Sequence, residues 1–259
     1  MELNKANRQV CDVDIRILKT MAPFLNFDTA NTTTAGLSGD STYAMAKGSR
    51  RIAFPNPIEG TMTIEAQVYP FKFFSLLSDG KIESDAAYAE NKTVTATKAG
   101  ELTLESGESS EIKAGTVFVY PAGSFGDESA LITGKFESGK FTSGNFEGDT
   151  FTADASKIAA SSEYEVGYII TKTTGVKRIS FNNKKIPNDY FITQKTVDKD
   201  EQGLLTPFIM TAYKATIQRS FELSFSSEGD PATVSLTFDL MEDKDGNVLD
   251  FVEITDSAN

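Results

Sequence analysis

From Ala232 to Leu240 the chain reads Ala-Thr-Val-Ser-Leu-Thr-Phe-Asp-Leu, with five apolar side chains at odd steps and four polar ones between them. In an extended strand those two sets point to opposite faces, so this segment belongs in a sheet with one dry side and one wet side. The same period of two runs through Val13, Ile15 and Ile17, through Met62, Ile64, Ala66 and Val68, and through Tyr164, Val166, Tyr168 and Ile170. The expectation is a mainly β protein.

Other stretches break that pattern. Residues 28–48 are rich in Thr, Gly, Ser, Asp and Ala and read as a long loop, with Tyr43 and Met45 near its far end. Arg51-Ile52-Ala53-Phe54 returns as a strand before Pro55-Asn56-Pro57. After Pro70, Phe71, Phe74 and Leu77 recur at three-residue steps, with Phe73 and Leu76 beside them and Gly80 beyond. The spacing predicts a short α-helix over about 70–79, docked on the sheet as core.

Strands are expected at 92–97, 101–105, 115–121 and 176–181. Between them Phe136, Phe141, Phe146 and Phe151 stand five apart, each with a small residue or Asp two positions before it. Four copies are too few for a stacked-repeat coil, so duplicated hairpin sequence is expected, within an insertion or added lobe at 124–160. Residues 213–225 put Tyr213, Ala215, Ile217, Phe221, Leu223 and Phe225 on one side. Arg219 interrupts that face and calls for a bend, an edge or a paired carboxylate. The Asp245-Gly246 turn is expected to join 232–240 to about 247–254 as a final hairpin.

Composition narrows function. The 259 residues suit one large β domain or two small ones. There is no histidine and no tryptophan, so the usual general base and the commonest metal ligand are missing. The single cysteine, Cys11, allows no internal disulfide and is expected to be a buried or half-buried, inert thiol. A formal charge of −12 argues against a nucleic-acid clamp. No apolar run approaches the ~20 residues of a membrane helix, and no secretory signal is expected at the N-terminus.

Asp198-Lys-Asp200-Glu-Gln202-Gly203 resembles the start of a calcium loop, but Ile209 stands where the bidentate Glu is needed. A solvated turn is expected there. No catalytic residue, metal site or cofactor is expected, and no enzyme.

The order of elements has a family likeness. A strand leads into Asn31-Thr-Thr-Thr-Ala-Gly-Leu and Ser41-Thr-Tyr-Ala-Met-Ala-Lys-Gly-Ser. The strand Gly60-Thr-Met-Thr-Ile-Glu-Ala-Gln follows, then the short helix. Near the end stands Phe221-Glu-Leu-Ser-Phe-Ser-Ser-Glu-Gly-Asp-Pro-Ala-Thr-Val-Ser-Leu-Thr-Phe-Asp-Leu, with an acidic turn and a last strand. Over roughly residues 12–80 and 163–254 the chain resembles the major tail (tail tube) proteins of long-tailed bacteriophages.

The resemblance implies a single β-sandwich or β-barrel domain over 1–259 with a flanking helix. It implies six copies in a ring, and rings stacked into a tube that passes DNA as non-specific cargo. Residues 28–52 would be an inter-subunit loop or hairpin. Its candidate contact residues are Asn31, Thr32, Thr33, Thr34, Leu37, Tyr43, Met45, Arg50 and Arg51. The implied partners are further copies of the chain and other tail proteins, with no membrane. The implied location is the virion tail, after synthesis in the host cytoplasm. The alternatives are another phage tail, baseplate or capsid-decorating β-protein, or a monomeric β-sandwich that binds carbohydrate or a cell surface.

Overall fold

The computed structural model describes residues 4–105, 107, 110–148, 150–223, 228–229 and 231–255. It is 54% strand, in several antiparallel sheets, with no closed barrel among the described residues. The chain forms two compact units. One is built from the chain up to Lys81 together with the chain from Ile179 onward, the other from Ile82–Arg178.

The first unit opens with β1 (Lys5–Asn7), β2 (Asp12–Ile17), β3 (Pro23–Phe27), β4 (Ala30–Ser38), β5 (Ser41–Ala46), β6 (Ser49–Pro55) and β7 (Glu59–Ala66), then a 3-10 helix, Phe71–Leu77. The second carries β8 (Ala86–Thr95), β9 (Glu101–Thr103), β10 (Ser110–Ile112), β11 (Phe118–Pro121), β12 (Gly134–Glu137), β13 (Lys140–Glu147), β14 (Thr150–Ala153) and β15 (Glu163–Lys172). The chain then returns to the first unit with β16 (Asp189–Asp200), β17 (Leu205–Ile217), β18 (Val234–Met241) and β19 (Leu249–Glu253).

The first unit is organised by a nine-stranded sheet in the order β3-β2-β16-β17-β18-β7-β4, with β1 added to β16 and β19 to β17. Its dry face is the one the alternation announces. Val13 and Ile15, Met62 and Ile64, and Val234, Leu236, Phe238 and Leu240 are all buried in one core with Tyr190 and Ile192. Cys11 is buried as expected. Gln194 continues the same face of β16 and is fully buried. It pairs with Val13 on one side and Met210 on the other, and its amide has no hydrogen-bond partner among the described residues.

Phe71–Leu77 covers this core, but as a 3-10 helix rather than the α-helix expected over 70–79. The Phe73 N–H donates to the Pro70 carbonyl, and the Ser78 N–H to the Ser75 carbonyl, both three-residue closures. With three residues per turn, positions three apart superpose. Phe73 and Leu76 therefore form the fully buried ridge, while Phe71 stays exposed.

Three further expectations are corrected. No strand spans 176–181; only Arg178 makes an isolated bridge, to Glu83. The strand expected over 213–225 is β17, which begins at Leu205 and ends at Ile217. A bulge opposite Tyr190 and Ile192 shifts its register, so Ala212, Ala215 and Ile217 are buried and Tyr213 pairs its ring with Phe191 instead. Arg219 lies past the strand end and donates to the Asn182 carbonyl. Phe225 lies outside the described residues.

The last correction concerns β19, which pairs with β17 and not with β18. At 13 residues β17 is long enough to hold both, β18 along Lys214–Ile217 and β19 along Phe208–Ala212. The acidic turn swings the chain from one to the other. Asp243 accepts from the backbone N–H groups of Asp245 and Asn247, and the Asn247 bond leads in holding its carboxyl below the usual range.

The calcium-like segment is likewise a turn, between β16 and β17. Asp200 accepts from the backbone N–H groups of Gln202 and Leu204.

In the second unit β15 pairs with β8, β10 and β11, and Tyr164, Val166, Tyr168 and Ile170 are buried together as their alternation requires. The phenylalanine repeat is a meander. Phe136 pairs with Phe141 across the Ser138-Gly139 turn, and Phe146 with Phe151 across the next. Both residues of the first turn have positive φ, 49° and 78°, which is the two-residue geometry that suits a twisted hairpin. Five is odd and the strand period is two, so the pairs fall on opposite faces. Phe141 is buried and Phe146 is 54% exposed. Two of the glycines before the aromatics also have a packing reason. A Cβ on Gly134 would stand 2.4 Å from the Phe141 ring, and one on Gly144 2.7 Å from the Phe151 ring.

Candidate assembly surface

Residues 28–52, expected as a loop or hairpin, belong to a long two-stranded arm. Its root is β4 paired with β7, from Ala30 opposite Ala66 to Ser38 opposite Glu59. Its outer part is β5 paired with β6, from Ser41 opposite Pro55 to Ala46 opposite Ser49. The tip is the two-residue turn Lys47-Gly48, with φ of 51° and 76°. Glycine is needed at the second of these because that backbone conformation strains any other side chain.

The root is anchored. Asn31 sits at a bulge and accepts from the Gln67 backbone N–H at 2.7 Å. Thr33 stands opposite Ile64 and Ala35 opposite Met62, on the dry face. Thr32 and Thr34 face the wet side opposite Glu65 and Thr63, and the Thr63 hydroxyl lies 3.1 Å from that of Thr237 on β18. Leu37 leans over Gly60; a Cβ there would stand 2.9 Å from it.

The outer arm is different. Every residue of β6, and every residue of β5 after Ser41, is exposed. The register places Ile52 and Phe54 on one face with Ala44 and Thr42, and Tyr43 and Met45 on the other with Ala53 and Arg50. Arg51 is the extra residue of a bulge between the pairs Ala44–Ile52 and Met45–Arg50. Large apolar side chains therefore stand in solvent on both faces: Met45 is 60% exposed, Ile52 57% and Phe54 54%. The Arg50 guanidinium lies 4.2 Å from the centre of the Tyr43 ring. Between Ser41 and Pro55 there are Lys47, Arg50 and Arg51 and no acidic residue, in a chain of charge −12.

The structure thus gathers Tyr43, Met45, Arg50 and Arg51 near the arm's end and leaves Asn31, Thr32, Thr33 and Thr34 at its root, with Leu37 between. Lys47, Ile52 and Phe54 share the exposed surface and were missed. Ile52 and Phe54 stood in the strand expected at residues 51–54, but that both its faces are exposed follows only from its pairing with β5.

Four strands of the sheet each have a single neighbouring strand among the described residues: β3 and β4 at the two ends of the order, and the short β1 and β19 beside β16 and β17. The Lys72 ammonium partly covers β3, donating to the Phe24 carbonyl at 2.6 Å. β4 carries no comparable cover among the described residues, and an open strand edge is a template for pairing with another chain.

A family model described as the YomU/Tube protein family matches residues 8–254. The chain belongs to the YomU/Tube protein family. No curated protein matches it. Membership across nearly the whole chain is consistent with a phage tail tube protein, and points to a structural, non-enzymatic role, self-assembly into a tube and a place in the virion tail. An exposed apolar arm and an open sheet edge are both unfavourable until something covers them.

Proposed function

We propose that this Tube-family chain is the repeating subunit of a phage tail tube. Six copies close a ring, rings stack, and the 28–52 arm reaches from one copy to the next. The observation that carries the reading is the outer arm, where Tyr43 and Met45 on one face and Ile52 and Phe54 on the other all stand in solvent. A lone two-stranded hairpin is marginal in water. Burial against a second copy stabilises both its faces at once. The open edge of β4 adds backbone pairing to the same contact.

In this reading Asn31, Thr32, Thr33, Thr34, Leu37, Tyr43, Met45, Arg50 and Arg51 are inter-subunit residues, and residues 1–259 act as one tube subunit. Residues 124–160 form a surface segment, on their Gly, Ser, Lys and Glu content. DNA is cargo. A charge of −12 favours a lumen that repels phosphate and lets it slide. Other tail proteins close the ends of the tube.

The experiment is negative-stain electron microscopy and sedimentation velocity across a concentration series. Rings and tubes with a central hole are expected at high concentration. A second sample replaces residues 39–58 by Asn-Gly, which closes the root directly because Ser38 already faces Glu59. That variant should fold and stay monomeric. Tubes from it, or monomers of the intact chain at every concentration, would overturn the reading.

A further inference from the structure

Where Leu37, Gly60 and Leu240 meet on three adjacent strands, the arm's root holds a groove of about 470 Å³. Met241, on the same face of the sheet as Glu59 and Asp239, is the groove's apolar wall, 42% exposed, while Leu37 leans over Gly60 on the other face. Gly36 leaves open space where a side chain would stand. Glu59 and Asp239 line it, and no Lys or Arg does. Asp239 is held in place by the Gln218 amide, which donates to one of its oxygens at 2.6 Å. The groove is therefore apolar with two carboxylates, and the arm's end is apolar with Lys47, Arg50 and Arg51.

We infer that the root groove is the receptor for the arm's end of a second copy, Tyr43 and Met45 meeting Met241 while Arg50 and Arg51 meet Glu59 and Asp239. In the folded chain the arm's end stands away from its own groove, because Ser41–Ala46 carries it a six-residue strand beyond the root, roughly 20 Å at the rise of a strand. Tip and root are different patches, so a contact passed from copy to copy is heterologous and closes a ring or propagates along an axis. This rests on the proposed assembly through the arm and adds where the arm lands and which charges select it.

The test is a charge exchange in the full-length chain. One variant carries Arg50→Glu with Arg51→Glu, the other Glu59→Lys with Asp239→Lys. Each alone should need at least about tenfold more protein to assemble, since like charges face each other in the contact. An equal mixture should assemble as readily as the wild type. Every contact between unlike copies then pairs opposite charges, while contacts between like copies remain repulsive. Assembly of the Glu59/Asp239 variant at the wild-type concentration, with the Arg50/Arg51 variant blocked, would overturn the groove and keep the arm. Failure of the wild type to assemble at any concentration would overturn the assembly reading itself.

If the Asp239 change unfolds the chain, a second variant decides. Arg51→Cys with Glu59→Cys, in a Cys11→Ser background, should give a ladder of disulfide-linked oligomers on a non-reducing gel. A ladder missing under assembly conditions would overturn the groove.

Discussion

Arg50 lies with its guanidinium 4.2 Å from the centre of the Tyr43 ring, across the pair of strands that carries them away from the core. The contact joins a charge and an apolar ring in full view of solvent, and at an exposed site it is worth only about 0.5–1 kcal/mol. Its value to the folded subunit is small. Tyr43→Ala and Arg50→Ala should therefore each change unfolding stability by less than about 1 kcal/mol, while raising the protein concentration at which rings or tubes appear. Urea denaturation and sedimentation on the same samples separate the two effects. A large loss of stability with unchanged assembly would show that the pair serves the fold alone.

Gly144 is a packing site for the second unit. A Cβ there would lie 2.3 Å from the Thr152 carbonyl oxygen and 2.7 Å from the Phe151 ring. Both neighbours belong to the paired strand, so relief requires a backbone shift. Gly144→Ala should destabilise the unit of Ile82–Arg178 by about 1–3 kcal/mol. Gly148→Ala serves as the comparison, because its added carbon meets nothing within 4 Å but its φ of 59° is already unfavourable for alanine. Calorimetry that ranked Gly148→Ala as the more damaging change would contradict the packing account.

Gln194 is buried with neither amide atom partnered among the described residues. An unsatisfied buried amide costs about 1–3 kcal/mol, and an apolar side chain of similar length does not. Gln194→Leu should raise stability by about 1 kcal/mol. A loss instead would mean that the amide is satisfied in solution.

Tyr190 sets an alkaline limit. Burial pushes its phenol up to about 12, against about 10 for an exposed tyrosine. The fold therefore favours the neutral phenol. That contribution is complete below about pH 10, and it is lost as pH rises through about 12. The wild type should lose on the order of 2 kcal/mol more than Tyr190→Phe across that window. Thermal unfolding followed at a series of alkaline pH values tests it, and parallel curves would reject it.

Much of this architecture was legible because burial writes a period into a chain. Val234, Leu236, Phe238 and Leu240 announced a half-buried strand, and all four are in the core. Where burial is missing, so is the period. β5 is exposed on both faces, so nothing selected alternating residues there and residues 28–48 read as loop, although residues 51–54 in β6 were legible as a strand. The helix at Phe71–Leu77 was found at the right place but with the wrong winding. Steps of three suit an α stripe and a 3-10 ridge alike, and only the hydrogen bonds to Pro70 and Ser75 separate them.

The candidate site shows the same division. The stretch that holds Tyr43, Arg50 and Arg51 was marked by its composition and its family likeness. That Arg50 meets Tyr43, that Ile52 and Phe54 share a face, and that Glu59 and Asp239 line one groove all follow from strand register. Register is a relation between distant segments, and no local pattern carries it.

Alone, the amino-acid sequence determined that this protein is built of strands, where most of them run, and which family it resembles, because alternation and composition are local properties. The tertiary structure decided that β19 pairs with β17 rather than β18, and that Phe141 is buried while Phe146 is not. It also decided that the early excursion stands out as a paired arm. Each of these depends on which backbone groups find partners far away in the chain, and that is settled only when the whole sheet forms.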